Sequence, residues 1–367
     1  MGKKIKILFI MPRCTKSGPI QVLENIIKHL EKEKFQLYLI TINEENPNRS
    51  ILKSFSKGMD WLYVPVSKLN ALLGNTKKLK SVIEEINPDV IHTTGFVPDL
   101  IISRMFPERQ LTILHANLRM DYLYLSGKVN GAILATIHEQ VLKKIGTVVA
   151  CSKSLSEIYS RRGYSIPYIR NGVDCKNINN GLLNLNRKDL NIPEHATIFV
   201  YAASFNKRKN HRFLLECFSR FDQEKVLLLL GDGPTYENLK NEFSYCKNVI
   251  FRGRVENVRD YLRISDYFVS SSIQEGLPMG VIEAMFEGLP VLLSDIPQHR
   301  EVWEVNPSIG QLFTLNDKND FTKKIELIIN CDRMRASLAY VETVLAYFNA
   351  EKMSKAYQEY YEKIALK

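Results

Sequence analysis

The segment that decides the fold covers residues 270–295 and reads SSSIQEGLPMGVIEAMFEGLPVLLSD. It begins where a predicted strand at residues 267–270 ends, and a polar loop with Glu275 and Gly276 follows. A predicted helix then carries Glu283, and a second short apolar strand closes the segment. This order predicts one repeat of a parallel sheet, with the polar loop at the carboxyl end of the strands.

The same alternation of short apolar runs and amphipathic stretches continues through the rest of the chain. The predicted strands cover residues 6–11, 35–42, 90–92, 111–114, 147–151, 197–202, 225–230, 249–251, 267–270 and 290–293. The predicted helices cover residues 22–34, 72–86, 152–162, 211–221, 235–243, 258–264, 280–286 and 350–365. Strands that alternate with helices predict an α/β protein with parallel sheets wound on both faces.

A pause in this alternation divides the chain into two predicted domains. A polar, Asn-rich stretch at residues 176–191 reads as the linker. The first domain then covers residues 1–174 and the second residues 175–349, while the helix at residues 350–367 is expected to pack back on the first. Ligands are expected in the cleft between the two domains, at the carboxyl ends of the strands.

Length and composition agree with two globular domains. The chain has 367 residues, of which 45% are hydrophobic and 25% charged, which excludes disordered, collagen-like and coiled-coil proteins. Its longest apolar runs are too short to span a bilayer, and the run at residues 6–11 is too short for a signal peptide. The six cysteines have no metal-ligand or redox spacing, which predicts reduced thiols and a cytoplasmic location.

The positive charge is concentrated in the first half of the chain. Residues 1–174 contain 25 Lys and Arg against 15 Asp and Glu, whereas the remaining residues contain 25 of each sign. Two interpretations stay open, a solvated basic surface and a face that contacts an acidic partner such as an anionic membrane. Residues 118–128, LRMDYLYLSGK, are either an amphipathic bilayer contact or an ordinary buried helix. The chain has no nucleic-acid-binding motif, so no nucleic acid partner is expected.

The loop within residues 270–295 has the composition of an anion-binding site. Backbone N–H groups at a helix N-terminus attract anions, and Gly276 allows phosphates to approach the backbone. The two carboxylates suit hydroxyl groups instead, with Glu283 expected at a ribose and Glu275 at a sugar. The alternative is a capped helix whose acidic side chains face solvent.

Residues 270–295 resemble the E-x7-E signature of retaining glycosyltransferases of the family 4 type, which have the GT-B fold. Glu275 and Glu283 are the two glutamates of that pattern. Further motifs occur in the family's order, and they are VIFRGRVENVRDYLRISDYFVSSS at residues 249–272, GDGP at residues 231–234, RNGVD at residues 170–174 and SGP at residues 17–19. The resemblance implies two Rossmann-like doubly wound domains facing a cleft, the first for the acceptor and the second for a nucleotide-sugar donor.

The resemblance also implies a cationic pair that grips the donor diphosphate. Family members have an Arg and, five residues later, a Lys after the first strand of the second domain. Lys209 matches that Lys, but Ser204 stands at the position of the Arg. Arg208, next to Lys209, is the expected substitute, because a departing nucleoside diphosphate needs positive charge beside it.

Other residues take their expected roles from the same resemblance. His115 corresponds to the histidine near the donor sugar, and His92, which ends another predicted strand, is its competitor. The expected donor-binding set is Gly18, Ser204, Gly231, Arg254, Gly276, Leu277 and Glu283, and the expected catalytic set is His115, Glu275, Lys209 and Arg208.

The implied activity is transfer of a hexosyl group, with retention, from a nucleotide-sugar such as a UDP-sugar. The implied acceptor is a saccharide or lipid-linked saccharide in bacterial surface polysaccharide or glycolipid synthesis, at the cytoplasmic face of the membrane. No metal site and no cofactor are expected, because the chain lacks Asp-x-Asp, Walker and zinc-ligand motifs. Two alternatives remain open: a sugar-nucleotide epimerase or phosphorylase, and a non-catalytic nucleotide-binding subunit.

Overall fold

The computed structural model describes residues 3–48, 50–175, 185–330 and 333–367. The chain divides into two compact units, of which unit 1 comprises Met1–Asn171 with Ala350–Lys367 and unit 2 comprises Gly172–Asn349. The predicted linker at residues 176–191 lies for the greater part outside the described residues.

Unit 1 is built on a six-stranded parallel sheet with the strand order β3-β2-β1-β4-β5-β6. Its strands are β1 (Ile5–Met11), β2 (Phe35–Thr41), β3 (Asp60–Tyr63), β4 (Val90–Thr93), β5 (Gln110–Leu114) and β6 (Thr147–Ala150). The helices between β1 and the end of the first segment of unit 1 are α1 (Gly18–Lys28), α2 (Leu52–Phe55), α3 (Lys68–Leu73), α4 (Lys77–Ile86), α5 (Phe96–Met105), α6 (Leu118–Ser126), α7 (Lys128–Leu142) and α8 (Lys153–Ser160).

Unit 2 has a second six-stranded parallel sheet with the order β12-β11-β10-β7-β8-β9. Its strands are β7 (Thr197–Ala202), β8 (Lys225–Leu230), β9 (Val249–Gly253), β10 (Tyr267–Ser270), β11 (Val291–Ser294) and β12 (Gly310–Phe313). Its helices are α9 (His211–Phe218), α10 (Tyr236–Glu242), α11 (Val258–Ile264), α12 (Met279–Phe286), α13 (Pro297–Val305), α14 (Lys318–Ile329) and α15 (Arg333–Tyr347).

The predicted fold class is confirmed, because both sheets are parallel and helices flank them. Central strands of such sheets are covered on both faces and therefore consist almost entirely of apolar residues. β1 follows this rule with its last five residues fully buried, and β8 has five buried residues in succession. Burial of this apolar surface drives the folding of each unit.

Two of the predicted helices have the wrong bounds. The single helix predicted at residues 72–86 is two helices, because Gly74 adopts a left-handed conformation (φ 77°) that ends α3 before α4 begins at Lys77. The helix predicted at residues 22–34 begins earlier, at Gly18, and ends at Lys28. Pro19 favours this earlier start, because its fixed φ and missing N–H suit the first turn of a helix.

The last helix of the chain, α16 (Ala350–Ala365), packs against the sheet and helices of unit 1. The Ser354 hydroxyl donates to the carbonyl oxygen of Ile26 on α1 at 2.8 Å. The hydroxyl of Tyr361 pairs with Nδ1 of His92 at 2.7 Å, and both side chains are buried. The last helix therefore completes the core of the unit that begins the chain.

We expect Tyr361→Phe to lower the free energy of unfolding by about 1–3 kcal/mol, because it leaves a buried nitrogen of His92 without its partner. The half-buried neighbour Tyr360 offers a matched control, and Tyr360→Phe should change stability by less than about 0.5 kcal/mol. Urea unfolding of the three proteins measures the difference. Equal stability of Tyr361→Phe and the unchanged protein would show that the contact with His92 contributes nothing.

Candidate functional site

The site in unit 2 is set by the order of its strands. The chain builds outward from β7 to β8 and β9 on one side, and from β10 to β11 and β12 on the other. β7 and β10 are therefore adjacent parallel strands at the point where the strand order reverses. The carboxyl ends of the strands at such a reversal are the expected ligand site of an open α/β sheet.

Two loops face each other at this edge. The loop after β7 contains a 3-10 turn, Lys207–Lys209, called here the KRK turn. The loop after β10 covers residues 271–278, contains Glu275, Gly276 and Leu277, and is called here the EG loop. The backbone N–H of Ile273 donates to the carbonyl oxygen of Arg208 at 2.9 Å, which ties the EG loop to the KRK turn.

Lys209 and Glu275 form a largely buried ion pair between these loops. Nζ of Lys209 lies 2.5 Å from Oε1 of Glu275, and their side chains are only 17% and 8% exposed. The same carboxylate oxygen accepts a hydrogen bond from the Ser272 hydroxyl at 2.6 Å. A carboxylate at this depth needs such partners, because ionised groups lose their hydration when buried.

The charge state of Glu275 follows from its neighbours. Burial by itself raises the pKa of this carboxyl, but the positive charges of Lys209 and Arg208 outweigh burial and lower the pKa below its ordinary value of 4.5. Glu275 is therefore ionised at neutral pH. The sequence-predicted residues Arg208, Lys209 and Glu275 thus lie together in unit 2, with Gly276 and Leu277 next to them in the chain.

Ser204 supports the KRK turn instead of supplying a charge. Its hydroxyl accepts a hydrogen bond from Nδ2 of Asn206 at 2.9 Å, and the Asn206 side chain in turn accepts from the backbone N–H of Lys209 at 3.2 Å. The side chain at the position of the family Arg therefore helps to cap the turn that presents Lys209.

Gly231 has a steric reason to be glycine. It adopts φ 132°, and a Cβ at this position would lie 2.1 Å from the carbonyl oxygen of Ala203. Gly233 meets the same restriction, with the carbonyl oxygen of Phe205 at 2.4 Å. The loop after β8 can lie against the loop after β7 only because both side chains are absent.

The N-terminus of α12 lies at the same edge of the sheet. A Cβ at Gly280 would lie 3.1 Å from the carbonyl oxygen of Ala202, so the first turn of α12 packs against the end of β7. The unpaired N–H groups of a first helical turn favour anions. Glu283 is half-buried in the second turn of this helix.

Arg254 follows β9 directly and is exposed. The preceding residue, Gly253, accepts a backbone hydrogen bond from Gly231 at 2.8 Å, which connects the loops after β8 and β9. Arg254 therefore lies at the same carboxyl edge of the sheet as Gly231, and β7 and β8 separate its strand from β10, which precedes the EG loop.

The candidate residues of unit 1 are His115 and Gly18. His115 follows β5 and is half-buried, and burial lowers its pKa to about 4 against the opposing effect of Asp99. His92 is a core residue that pairs with Tyr361, and burial lowers its pKa to about 3. The helix predicted at residues 22–34 leaves Gly18 outside it, but Gly18 is the first residue of α1, with Ser17 as the preceding cap residue.

Sequence reasoning missed several polar residues that contact these candidates directly or through one another. In unit 2 they are Tyr201, Ser270, Ser272 and His299, all buried. In unit 1, buried Asp99 accepts from Thr93 Oγ1 at 2.5 Å and pairs with Nε2 of His138 at 3.2 Å. The one available signal was the run of three serines at the end of β10, since hydroxyls at a buried strand end need partners.

The described residues contain neither a metal-binding cluster nor a membrane-spanning helix. No group of three or more His, Cys, Asp or Glu side chains among them could hold a metal ion. None of the helices in the described ranges is both long and apolar enough to cross a bilayer.

Comparison with known proteins gives a consistent result for both units. The family model described as glycosyltransferase family 4 matches residues 17–177, and the model for group 1 glycosyl transferases matches residues 184–341. The O-antigen biosynthesis glycosyltransferase WclY of Escherichia coli is 22% identical over 97% of this chain and 98% of its own. The capsular polysaccharide biosynthesis glycosyltransferase CapH of Staphylococcus aureus is 25% identical over 81% of this chain and 83% of its own.

A solved structure with the same architecture is HepE of Anabaena, determined in complex with UDP-glucose. It matches 98% of this chain and 100% of its own length with a TM-score of 0.77, at 16% identity. This likeness shows that the two chains share a fold.

Stability should decrease as the pH falls from about 6.5 towards 4. Burial lowers the pKa of His211 to about 3 and that of His299 to about 4, so both stay neutral in the folded protein. In the unfolded chain they bind protons below about pH 6.5, which stabilises the unfolded state by up to about 1.4 kcal/mol per group and pH unit.

His211→Phe tests this dependence, because neither ring nitrogen of His211 has a hydrogen-bond partner and its ring stacks on Phe205 at 3.9 Å. We expect a smaller loss of stability between pH 7 and pH 5 in this variant, measured by urea unfolding. The same substitution at exposed His195 is the control and should leave the pH dependence unchanged. If both variants lost the same stability between pH 7 and pH 5, the contribution assigned to buried, neutral His211 would be wrong.

Proposed function

The chain belongs to the family 4 glycosyltransferases and has the GT-B architecture, and on this basis we propose that it is a retaining hexosyltransferase. The proposed donor is a UDP-sugar, and the proposed acceptor is a saccharide or a lipid-linked saccharide. The observation that carries the proposal is the buried Lys209–Glu275 pair with Arg208 beside it, at the switch point of the second sheet.

In this proposal two residues of the KRK turn, Arg208 and Lys209, bind the donor diphosphate. Lys209 and Arg208 supply the positive charge, and the N-terminus of α12 adds backbone donors close to them. Charge on the diphosphate increases as the bond to the sugar breaks, so these groups stabilise the transition state more than the bound substrate. Arg208 then takes the role of the Arg that Ser204 replaces, since its charge acts on the same carboxylate as that of Lys209.

The remaining donor groups are assigned by the chemistry that each side chain can offer. Glu275 accepts hydrogen bonds from hydroxyls of the transferred sugar, and Glu283 accepts from the ribose. Gly231, Gly276 and Leu277 contribute backbone next to the phosphates and the sugar, and Arg254 contacts the base. Ser204 acts through Asn206, whose side chain caps the KRK turn.

Unit 1 holds the acceptor in this proposal, and His115 lies near the reacting sugar. His115 is neutral at physiological pH, so it can donate or accept a hydrogen bond to a sugar hydroxyl without adding charge. Gly18 at the start of α1 is proposed to contact the diphosphate through its backbone.

The proposed chemistry is a front-face substitution in which the leaving phosphate deprotonates the acceptor hydroxyl. The bond from the anomeric carbon to the phosphate oxygen breaks, the bond to the acceptor oxygen forms on the same face, and the acceptor proton goes to the phosphate. Such a reaction depends on positioning and on charge stabilisation more than on a protein nucleophile.

The named relatives support a role in bacterial surface polysaccharide or glycolipid synthesis. WclY and CapH are named for O-antigen and capsular polysaccharide synthesis, and HepE was solved with UDP-glucose. These names motivate the proposed acceptor class and the proposed UDP-sugar donor for this chain.

We also propose that unit 1 contacts an anionic membrane at the cytoplasmic face. Val129, Ile133 and Ile137 are spaced by four residues on α7, so they share one helix face, and they are 73%, 55% and 39% exposed. Leu125, at the end of α6, is 73% exposed. Lys128 lies between Leu125 and Val129 in the chain. Apolar residues flanked by basic ones suit the boundary between headgroups and acyl chains.

Donor binding is the first test of the enzymatic proposal. In a thermal-shift panel with UDP, GDP, ADP, CMP and their sugars, UDP and one UDP-sugar should raise the melting temperature. At 100 times its Kd a ligand stabilises the fold by about 2.7 kcal/mol. A response to UDP-sugars without transfer to any acceptor would favour the epimerase alternative, and no response to any nucleotide would contradict the donor site.

Substitution of the ion pair is expected to reduce transfer by about 100-fold or more. Glu275→Gln keeps the shape of the side chain, and Lys209→Met shortens it by one atom, so both remove charge with little change in volume. Lys207→Ala changes the exposed lysine of the same turn and should stay within about threefold of the unchanged enzyme. Near-normal turnover in Glu275→Gln or Lys209→Met would contradict their assigned roles.

Flotation with anionic vesicles tests the membrane proposal. We expect the unchanged protein to float with phosphatidylglycerol vesicles at low salt, and the double variant Val129→Asp/Ile133→Asp to stay at the bottom of the gradient. Leu338→Asp, at a leucine of α15 that is also 73% exposed, is the control and should float normally. Absence of flotation for the unchanged protein would contradict membrane contact.

A further inference from the structure

A continuous set of buried hydroxyl contacts connects β7, β10 and the two loops of the donor site. The Tyr201 hydroxyl on β7 lies 2.8 Å from the Ser272 hydroxyl, which donates to Oε1 of Glu275 at 2.6 Å. The carbonyl oxygen of Lys209 lies 3.1 Å from the Tyr201 hydroxyl and shares its one proton with the Ser272 oxygen, because the Ser272 proton is donated to Glu275. The Tyr201 hydroxyl therefore contacts the backbone of Lys209 directly. It reaches the carboxylate of Glu275, the ion-pair partner of Lys209, through Ser272.

A second layer of polar groups holds the serines in place. The Ser294 hydroxyl at the end of β11 donates to the carbonyl oxygen of Ser272 at 2.6 Å. Nδ1 of His299 pairs with the carbonyl oxygen of Ser294 at 2.8 Å, so this nitrogen carries the proton. The other ring nitrogen then faces the hydroxyl of Ser270 at 3.3 Å as an acceptor. These side chains are at most 2% exposed.

We propose that Tyr201 and Ser272 are positioning residues of the donor site, which fix the carboxylate of Glu275 and the backbone of Lys209 relative to each other. This inference rests on the proposed function, since it assigns a catalytic consequence to the placement of Glu275. Neither residue needs to touch the donor, because each acts through Glu275 or Lys209.

The burial of these hydroxyls is the first argument for this role. Tyr201 is 2% exposed and Ser272 is fully buried, at positions where apolar residues would pack without any hydrogen-bonding cost. Their hydroxyl groups form hydrogen bonds with the Glu275 carboxylate, with the backbone carbonyl of Lys209 and with each other. A short hydrogen bond to an ionised carboxylate is stronger than one between neutral groups and also directs its lone pairs.

The second argument concerns the surroundings of Glu275. The charged and titratable groups that face it are Lys209 and Arg208 from the KRK turn, His299 from α13 and Tyr201 from β7. Burial keeps His299 neutral, with a pKa of about 4. Ser272 thus supplies a hydroxyl hydrogen bond to a carboxylate whose counter-charges, among the described residues that act on it, are Lys209 and Arg208 of the KRK turn.

Kinetics of Ser272→Ala and Tyr201→Phe test the proposal. We expect kcat to fall by about tenfold or more in Ser272→Ala, because a misplaced carboxylate loses contacts that matter in the transition state. The Kd for UDP should change by less than about threefold, because Lys209 and Arg208 keep their charges. In Tyr201→Phe kcat should also fall, but by less than in Ser272→Ala, and the Kd for UDP should again change by less than about threefold.

Two matched controls separate positioning from general destabilisation. Tyr267→Phe removes another buried tyrosine hydroxyl of the same sheet, one that donates to the carbonyl oxygen of Ile329 at 3.3 Å. Ser265→Ala removes a hydroxyl that donates to the carbonyl oxygen of Tyr261 at 2.7 Å. Both controls should keep a normal kcat. A loss of kcat in the controls equal to that in Ser272→Ala and Tyr201→Phe would overturn the proposal.

Titration of Glu275 provides a test that needs no substrate. Carbon-13 NMR of labelled glutamate carboxyls, with the Glu275 signal assigned from Glu275→Gln, reports the pKa directly. Loss of the Ser272 hydrogen bond removes a group that favours the ionised form, so the pKa of Glu275 should rise in Ser272→Ala. Ser265→Ala should leave it unchanged.

The two tests fail in different ways. If the unchanged protein binds no nucleotide and transfers no sugar, the proposed function is wrong and the role in donor positioning is wrong with it. If it transfers sugar but Ser272→Ala keeps both normal kcat and an unchanged Glu275 titration, only the positioning role is overturned. A raised pKa together with reduced kcat and unchanged UDP affinity would support both.

Discussion

A buried carboxylate requires a cation beside it, and the site of unit 2 is arranged around that requirement. The Glu275 carboxylate is only 8% exposed and would be costly to bury alone, so Lys209 must reach it from a different loop. The KRK turn is capped by Asn206, supported by Ser204 and hydrogen-bonded to the EG loop. Each of these contacts serves to bring the ammonium group to the carboxylate.

The parallel sheet makes this meeting possible. β7 and β10 are far apart in the chain but adjacent in the sheet, because the strand order reverses between them. The carboxyl ends of the strands at such a point are the expected ligand site of an open α/β sheet. The glycines at positions 231 and 233 allow the loop after β8 to lie close to the loop after β7. Gly280 allows the first turn of α12 to lie close to the end of β7.

Much of this arrangement was accessible from residue patterns, and the exceptions have physical reasons. Strands with continuous apolar runs, such as β1 and β8, were located well because burial on both faces leaves a strong signal. β3, by contrast, lies at the edge of its sheet with every residue exposed, and it left no such signal. The helix predicted at residues 72–86 was wrong because periodicity continues across Gly74, whereas the left-handed backbone there interrupts the helix.

The sequence by itself determined the fold class and the residue types at the switch point, because hydrophobic periodicity and short motifs are local properties. It also predicted Arg208, Lys209 and Glu275 as members of one site, through the resemblance of their motifs. Only the tertiary structure decided that Tyr201 and Ser272 connect these residues, and that His92 belongs to the core beside Tyr361. Hydrogen bonds between residues distant in the chain depend on which strands become neighbours, and no local pattern encodes that.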